Sequence, residues 1–365
     1  MKKNVIIFMP SIEDGGVEKN LYEVSNYLVK NNISLEIITC NKNMSFKFSK
    51  GIKFIGTKNS YWNNRSRYIK YIICLLILFL TLIKRKEKTL VFAFQANIYA
   101  VILAKILNVK IITRSNSAPP GWSQNAIKNF IYKFFIKFAN DVMVNSFEFK
   151  KIFEKKFNIK VKCIYNPFNK NFVLKKINIK KKITFFKKGY LNIISVGRLT
   201  DQKDHLTLLR SIKKLDSNFK VKVIIIGKGS TKDILKRYII KNNLQNKIKL
   251  FGYTNNPFPF IQKANMVVLT SKFEGLPNIL LEAQFLRKYI ISTNCPTGPK
   301  EILLNSKAGD LINIGDFKKL SHLIKNYSNN KNSIIKKINT GYKKFYRFDY
   351  MLNCKKYLNF IKNNY

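Results

Sequence analysis

Acidic residues are scarce in this chain: 19 Asp and Glu stand against 68 Lys and Arg, a formal net charge of +49. Attraction to a polyanion, either an anionic membrane or a nucleic acid, is one consequence. The lysines are spread through the whole chain rather than gathered in one tail, so most of the charge reads as compositional bias, with some left to serve membrane adhesion. No nucleic-acid-binding motif accompanies the charge, which argues against that partner. Cysteines are few: Cys40, Cys74, Cys163, Cys295 and Cys354, an odd number with no pair at metal-ligand spacing. That pattern points to a reduced, cytoplasmic protein. Long apolar runs are missing as well. The opening run Val5–Met9 is too short for a signal peptide and meets Pro10. Tyr71 to Ile83 is thirteen residues without a charge, short of the roughly 20 that a spanning helix needs. Arg65, Arg67 and Lys70 precede it, and Lys84, Arg85, Lys86 and Lys88 follow. The segment fits a helix lying in a membrane interface, with basic residues reaching headgroups, and fits equally a helix buried against a sheet.

What is abundant is material for two cores. Hydrophobic residues make up 46% of 365 residues, and that length suggests two domains on a prior of about 150 residues each. In the amino-terminal half, strand-like runs at Val5–Met9, Leu35–Thr39, Leu90–Phe94, Lys110–Thr113, Asp141–Val144 and Val161–Tyr165 alternate with helical segments such as Val17–Val29 and Ala126–Phe138. Asn166-Pro167-Phe168-Asn169 breaks the pattern. It resumes with strands at Asn192–Val196, Val221–Ile226, Ile248–Phe251, Met266–Leu269 and Tyr289–Ser292. Such alternation predicts an α/β protein with two Rossmann-like, doubly wound parallel-sheet domains. The expected boundaries are residues 1–170, a linker at 171–190, a second domain at 191–340, and a helical tail at 341–365.

The densest chemistry lies in Phe273-Glu274-Gly275-Leu276-Pro277-Asn278 and Glu282. Two carboxylates stand eight residues apart, between a buried strand and an apolar helix. Glu274 is thereby expected just past a strand's carboxyl end and Glu282 about one turn into the helix, where open α/β sheets bind ligands. Carboxylates there accept hydrogen bonds from vicinal hydroxyls, and the helix start offers N–H groups to phosphate. Gly197-Arg198-Leu199, followed by Gln202 and Lys203, ends another buried strand. A guanidinium and an ammonium at that point suit a diphosphate. Gly15-Gly16-Val17-Glu18 follows the first strand and opens the first helix, where glycine lets the backbone approach a ligand and the helix start favours negative charge.

The Glu-x7-Glu segment resembles the signature of retaining glycosyltransferases of family four, which have the GT-B fold, and specifically the branch that builds bacterial surface polysaccharides and lipid-linked glycans. The resemblance implies two Rossmann-like domains facing a cleft, with the last helix crossing back to the first domain. It implies Glu274, Arg198 and Lys203 as catalytic residues. Donor binding would fall to Gly15, Gly16, Gly197, Gly227, Tyr253, Gly275, Leu276, Asn278 and Glu282. Glu282 would hold the ribose hydroxyls, and Glu274 the sugar. Gln95, Asn97 and Arg114 would face the acceptor, with Arg114-Ser115-Asn116 and Asn145-Ser146 serving acceptor binding or domain contact. The donor would be a UDP-sugar and the acceptor a glycan or a polyprenyl-diphosphate-linked glycan. The protein would lie peripherally at the inner face of the plasma membrane, without nucleic acid. One departure stands out: the two histidines, His205 and His322, both fall in the second half, so a first-domain histidine base is excluded. The chain also has no Asp-x-Asp. Both features agree with front-face transfer, independent of a metal or cofactor, in which the departing phosphate takes the acceptor's proton and fixed cations neutralise it. A GT-B nucleotide-sugar epimerase would use the same cleft, but the Phe273-Glu274-Gly275-Leu276-Pro277-Asn278 context argues against it. A non-catalytic basic protein would explain the charge and leave these motifs without a purpose.

Overall fold

The computed structural model describes residues 4–12, 15–40, 45–46, 48–57, 61–62, 65–85, 89–116, 125–179 and 183–365. The chain folds as two units, Met1–Pro167 with Tyr350–Tyr365, and Phe168–Asp349.

The first unit is a parallel sheet of seven strands. They are β1 (Asn4–Phe8), β2 (Ser34–Ile38), β3 (Ile52–Ile55), β4 (Thr89–Ala93), β5 (Lys110–Arg114), β6 (Asp141–Val144) and β7 (Lys162–Cys163), in the order β3-β2-β1-β4-β5-β6-β7. Helices α1 (Gly16–Lys30), α2 (Arg67–Arg85), α3 (Asn97–Ile106), α4 (Ala126–Phe135) and α5 (Phe147–Phe157) join them. The central strands are apolar on both sides because both sides are covered. Val5 and Ile7 enter a core with α1, while Ile6 and Phe8 enter another with α2 and α3.

The second unit opens with α6 (Lys170–Ile177). Its sheet has six strands: β8 (Leu191–Val196), β9 (Val221–Ile226), β10 (Ile248–Gly252), β11 (Met266–Leu269), β12 (Tyr289–Thr293) and β13 (Asp310–Ile312), ordered β10-β9-β8-β11-β12-β13. Helices α7 (His205–Lys213), α8 (Lys232–Lys241), α9 (Phe258–Lys263), α10 (Asn278–Phe285), α11 (Pro299–Ile302), α12 (Phe317–Lys325) and α13 (Lys331–Lys343) complete it. Each sheet starts near its middle, grows to one edge, and crosses back to grow to the other. The reversal falls between β1 and β4 in the first unit and between β8 and β11 in the second. At such a switch point, loops diverge and leave a crevice at the strands' carboxyl ends.

Three differences from the sequence-based expectation have physical causes. Strands β3 and β13 were not expected. Both are edge strands of four and three residues, and neither carries the continuous apolar run that marks a doubly buried strand. The expected linker at 171–190 is not an excursion: α6 packs on α9 within the second unit, and residues 180–182 lie outside the described residues. The tail divides later than residue 341. Gly341, Phe345 and Phe348 are buried in the second unit, and only α14 (Tyr350–Lys362) belongs to the first, where Cys354, Tyr357, Phe360 and Ile361 join the core beside α1.

A buried guanidinium ties α14 to its sheet. Arg114, 1% exposed at the end of β5, donates from Nε to Tyr357 Oη at 2.9 Å and from Nη2 to Asn166 Oδ1 at 2.8 Å. A third contact goes to Asn116 Oδ1, and the group lies 5.3 Å from the Phe94 ring centre. Removing one acceptor from a buried charge leaves a donor unpaired, at about 1–3 kcal/mol or more. Tyr357→Phe is therefore expected to lower unfolding stability by that amount in urea titrations, although it deletes one oxygen. An unchanged midpoint would mean that water replaces the phenol.

Helix α2 has two unlike sides. Lys70, Cys74, Leu78 and Leu82 form a buried stripe, three of them packed in the core against Val91 and Ala93. The opposite side is apolar and exposed. The helix thus combines features of both arrangements open to the Tyr71–Ile83 segment, and no helix among the described residues is long and apolar enough to cross a membrane.

Candidate active site

The segments singled out in the second half meet at the β8/β11 switch point. After β8, the chain runs through Gly197 and Arg198 into a short turn at Asp201–Lys203 and then α7. After β11, it runs through Thr270–Pro277 into α10. The two exits are laced together. Lys272 N donates to Gln202 O at 2.8 Å, Gln202 Nε2 to Phe273 O at 2.9 Å, and Thr270 Oγ1 to Lys203 O at 3.1 Å. In their centre Lys203 Nζ lies 2.5 Å from Glu274 Oε1. The pair is largely enclosed, with side-chain exposures of 14% and 9%. Arg198 stays exposed on the same strand exit and reaches Gln202 Oε1 at 3.4 Å.

Two residues missing from the sequence-based list hold Glu274. Ser271 Oγ donates to Glu274 Oε1 at 2.6 Å, and Thr297 Oγ1 donates to the Glu274 carbonyl at 2.5 Å. A hydroxyl three residues before the carboxylate was the available signal for Ser271. Thr297 comes from the loop after β12, residues 294–301, which resembles a loop of the same glycosyltransferase branch, but nothing in that segment points to its bond with Glu274. Beneath the pair lies His205, its Nδ1 3.2 Å from Ser195 Oγ. Burial, and then the Lys203 charge, push its pKa down to about 4, so the ring is neutral at physiological pH and adds no charge to the site. Nearby, burial and then Glu274 raise the Cys295 thiol to about 12, which leaves it without nucleophilic character at neutral pH.

The remaining second-unit candidates lie on α10 and the turn before it, and on the exits of β9 and β10. Glu282 lies in α10 and is buried. Leu276 is buried, Gly275 precedes it, and Asn278 is the first residue of α10, whose N-cap position is Pro277 and carries no side-chain cap. Gly227 leaves β9 with its N–H on Gly252 O at 2.9 Å. Tyr253 follows β10, is half exposed, and has Lys228 Nζ 5.0 Å from its ring centre.

In the first unit, the candidates lie at the exits of β1, β4, β5 and β6. Gly15 caps α1 in extended conformation and Gly16 begins the helix. Gln95 Oε1 accepts from Ser11 N at 3.1 Å, bridging the exits of β1 and β4. Asn97 Nδ2 donates to Arg114 O at 3.0 Å, bridging the exits of β4 and β5. Arg114 itself is buried and held by Tyr357, Asn166 and Asn116, so its visible task is structural. Ser146 caps α5 through Phe149 N at 3.2 Å.

Residues 176–344 match the family described as Glycosyl transferases group 1. An uncharacterized glycosyltransferase of Methanocaldococcus jannaschii is 39% identical over 178 residues, 47% of this chain and 44% of that protein, so this match spans less than half of the relative's length. The N-acetylgalactosamine-N,N'-diacetylbacillosaminyl-diphospho-undecaprenol 4-alpha-N-acetylgalactosaminyltransferase of Campylobacter jejuni is 25% identical over 339 residues, 84% of this chain and 85% of the enzyme. Among solved structures, Anabaena HepE in complex with UDP-glucose superposes with a TM-score of 0.81, at 16% identity, over 99% of this chain and 100% of that one. The match at residues 176–344 thus marks the second unit as a Glycosyl transferases group 1 domain, and the two parallel-sheet Rossmann-like units give the chain the GT-B fold.

Proposed function

We propose that the protein is a retaining glycosyltransferase that moves a hexosyl or N-acetylhexosaminyl group from a UDP-sugar to a glycan on a polyprenyl-diphosphate lipid, in bacterial surface-polysaccharide or glycoconjugate synthesis. The reaction would take place at the inner face of the plasma membrane. The observation that carries this reading is the enclosed Lys203–Glu274 pair at the β8/β11 switch point, beside the exposed Arg198. The name of the Campylobacter relative and the UDP-glucose bound to HepE support the donor and acceptor classes.

In the proposed reaction, the acceptor hydroxyl oxygen bonds to the anomeric carbon on the face from which UDP departs. The bond from that carbon to the β-phosphate oxygen breaks, and that oxygen takes the hydroxyl proton. Arg198 and Lys203 neutralise the charge that develops on the diphosphate. Glu274 orients Lys203 and accepts hydrogen bonds from the sugar, while Glu282 binds the ribose hydroxyls. No metal is called upon, since the cations are supplied by the chain. An epimerase would instead return a changed UDP-sugar without an acceptor, which product analysis separates.

The test is thermal unfolding with UDP, GDP and ADP, for the wild type and the Arg198→Ala/Lys203→Ala double variant. Ligand at 100 times its dissociation constant stabilises by about 2.7 kcal/mol, which for a unit of this size is roughly 5–10 °C. A shift with UDP that the variant loses is expected. A shift with GDP or ADP alone would replace the donor, and none with any nucleotide would defeat the reading.

A further inference from the structure

Apolar residues at helical spacing normally face a core, yet two helices of the first unit turn them outward. On α2, Tyr68, Ile72, Leu76, Phe79, Leu80 and Ile83 are exposed, Leu76 and Leu80 at 58% and 59%. At 3.6 residues per turn this row lies roughly 160° from the buried Lys70–Leu82 stripe. On α4, Ile127, Phe130, Ile131 and Phe134 follow the i, i+3, i+4, i+7 rule, with Ile127 and Phe130 each 70% exposed and no residue of the helix buried. The two helices belong to one face of the sheet, with α3 between them. The Tyr71 and Tyr99 rings join α2 to α3 at 6.3 Å, and Lys105 of α3 lies 5.4 Å from the ring of Phe138 in the turn after α4. Exposed apolar surface that recurs along one face of a sheet marks an interaction site.

The charge around this face selects its partner. Between Glu36 and Asp141 the sequence has eighteen Lys and Arg and a single acidic residue, Glu87. Arg65, Arg67 and Lys84 at the ends of α2, and Lys128, Lys133 and Lys137 on and after α4, are all exposed. A second copy of this chain would bring the same basic rim against itself. A nucleic acid would satisfy the cations but leave the aromatic and aliphatic rows in water. An anionic bilayer meets both demands, since acyl chains receive the apolar row and phosphate headgroups receive the lysines and arginines.

We infer that the outer faces of α2 and α4 form one membrane-docking surface for anionic lipid, on which the first unit lies without being spanned. This deepens the proposed reading, whose acceptor lipid resides in a bilayer, but it stands on the two helices and not on the Lys203–Glu274 site.

The full-length protein is mixed with phosphatidylglycerol-containing vesicles and, separately, with pure phosphatidylcholine vesicles, and bound protein is measured by co-sedimentation. The same is done for Leu76→Glu/Leu80→Glu and for Phe130→Glu/Phe134→Glu. These side chains are exposed, so both variants are expected to melt as the wild type does and to keep its UDP response. Wild type should bind the anionic vesicles preferentially, and each variant should lose about tenfold or more in partitioning at physiological salt. Wild-type protein that ignores anionic vesicles, or variants that bind as well as wild type, would overturn the assignment. So would a wild-type dimer that ignores vesicles and that these substitutions dissociate. Failure of the UDP response, with vesicle binding and its loss intact, would defeat the transferase reading alone.

Discussion

Glu274→Gln is expected to reduce sugar transfer about 10²- to 10³-fold, the usual loss when one preorganised electrostatic group is removed from a reacting centre, while the protein remains folded. The carboxylate is held in place by Lys203 Nζ at 2.5 Å and Ser271 Oγ at 2.6 Å, and its backbone is fixed by Thr297. A glutamine fits the space but no longer balances the ammonium. A double-mutant cycle separates structure from chemistry. Glu274→Gln leaves Lys203 as an enclosed charge without its counter-ion, and Lys203→Met does the same to Glu274, so both single variants should unfold more easily. The double variant should recover much of that stability, because removing both partners of an enclosed pair is far less damaging than removing one. Activity should not recover with it. Transfer measured with a radiolabelled UDP-sugar, beside urea unfolding, decides the matter. Recovery of both together would make the pair a purely structural tie, and Glu274→Gln with wild-type turnover would remove Glu274 from the reaction.

Gly227→Ala is expected to destabilise the second unit by about 3 kcal/mol, as overpacking against an unyielding neighbour does, or roughly 10 °C in melting temperature. A β-carbon at residue 227 would lie 1.8 Å from the Gly197 carbonyl oxygen and 3.0 Å from its carbon. Those atoms cannot retreat easily. Gly197 N is bonded to Ile226 O at 3.0 Å, Leu199 N to Lys228 O at 2.9 Å, and Gly227 N to Gly252 O at 2.9 Å, so the exits of β8, β9 and β10 are stapled together. Gly197→Ala is the control. Its new methyl group would meet Lys203 Cδ at 3.4 Å, in a flexible side chain, and its melting temperature should stay near wild type. Differential scanning fluorimetry compares the two, and equal melting of Gly227→Ala and wild type would show that the strand exits open without penalty. The glycine's requirement is thus a close backbone approach, whatever further part it plays at a nucleotide.

Much of this protein was legible in the chain because the signals are local. Val5–Met9, Val223–Ile226 and Met266–Leu269 are apolar on both faces, and only a strand covered by helices on both sides tolerates that. Gly197-Arg198 and Phe273-Glu274-Gly275 stand directly after such strands, so their position at carboxyl ends followed from the strand assignment. Edge strands escaped for the same reason. Ile52–Ile55 is buried at its first residue and exposed or partly exposed after it, and it lacks the run that betrays a central strand. The double nature of α2 was also out of reach, since an uncharged segment looks alike from every side until a sheet chooses which stripe to cover.

By itself, the amino-acid order determined the alternation of strand and helix, the two parallel sheets that follow from it, and the chemical kinds of residue at each strand exit, because these depend on neighbours a few positions away. Only the tertiary structure decided which of those residues meet. Lys203 and Glu274 are 71 residues apart in sequence and Arg114 and Tyr357 are 243 apart. Their pairing depends on strand order, on where each sheet reverses, and on which buried charge finds an acceptor within 3 Å, none of which is encoded in the period of a single segment.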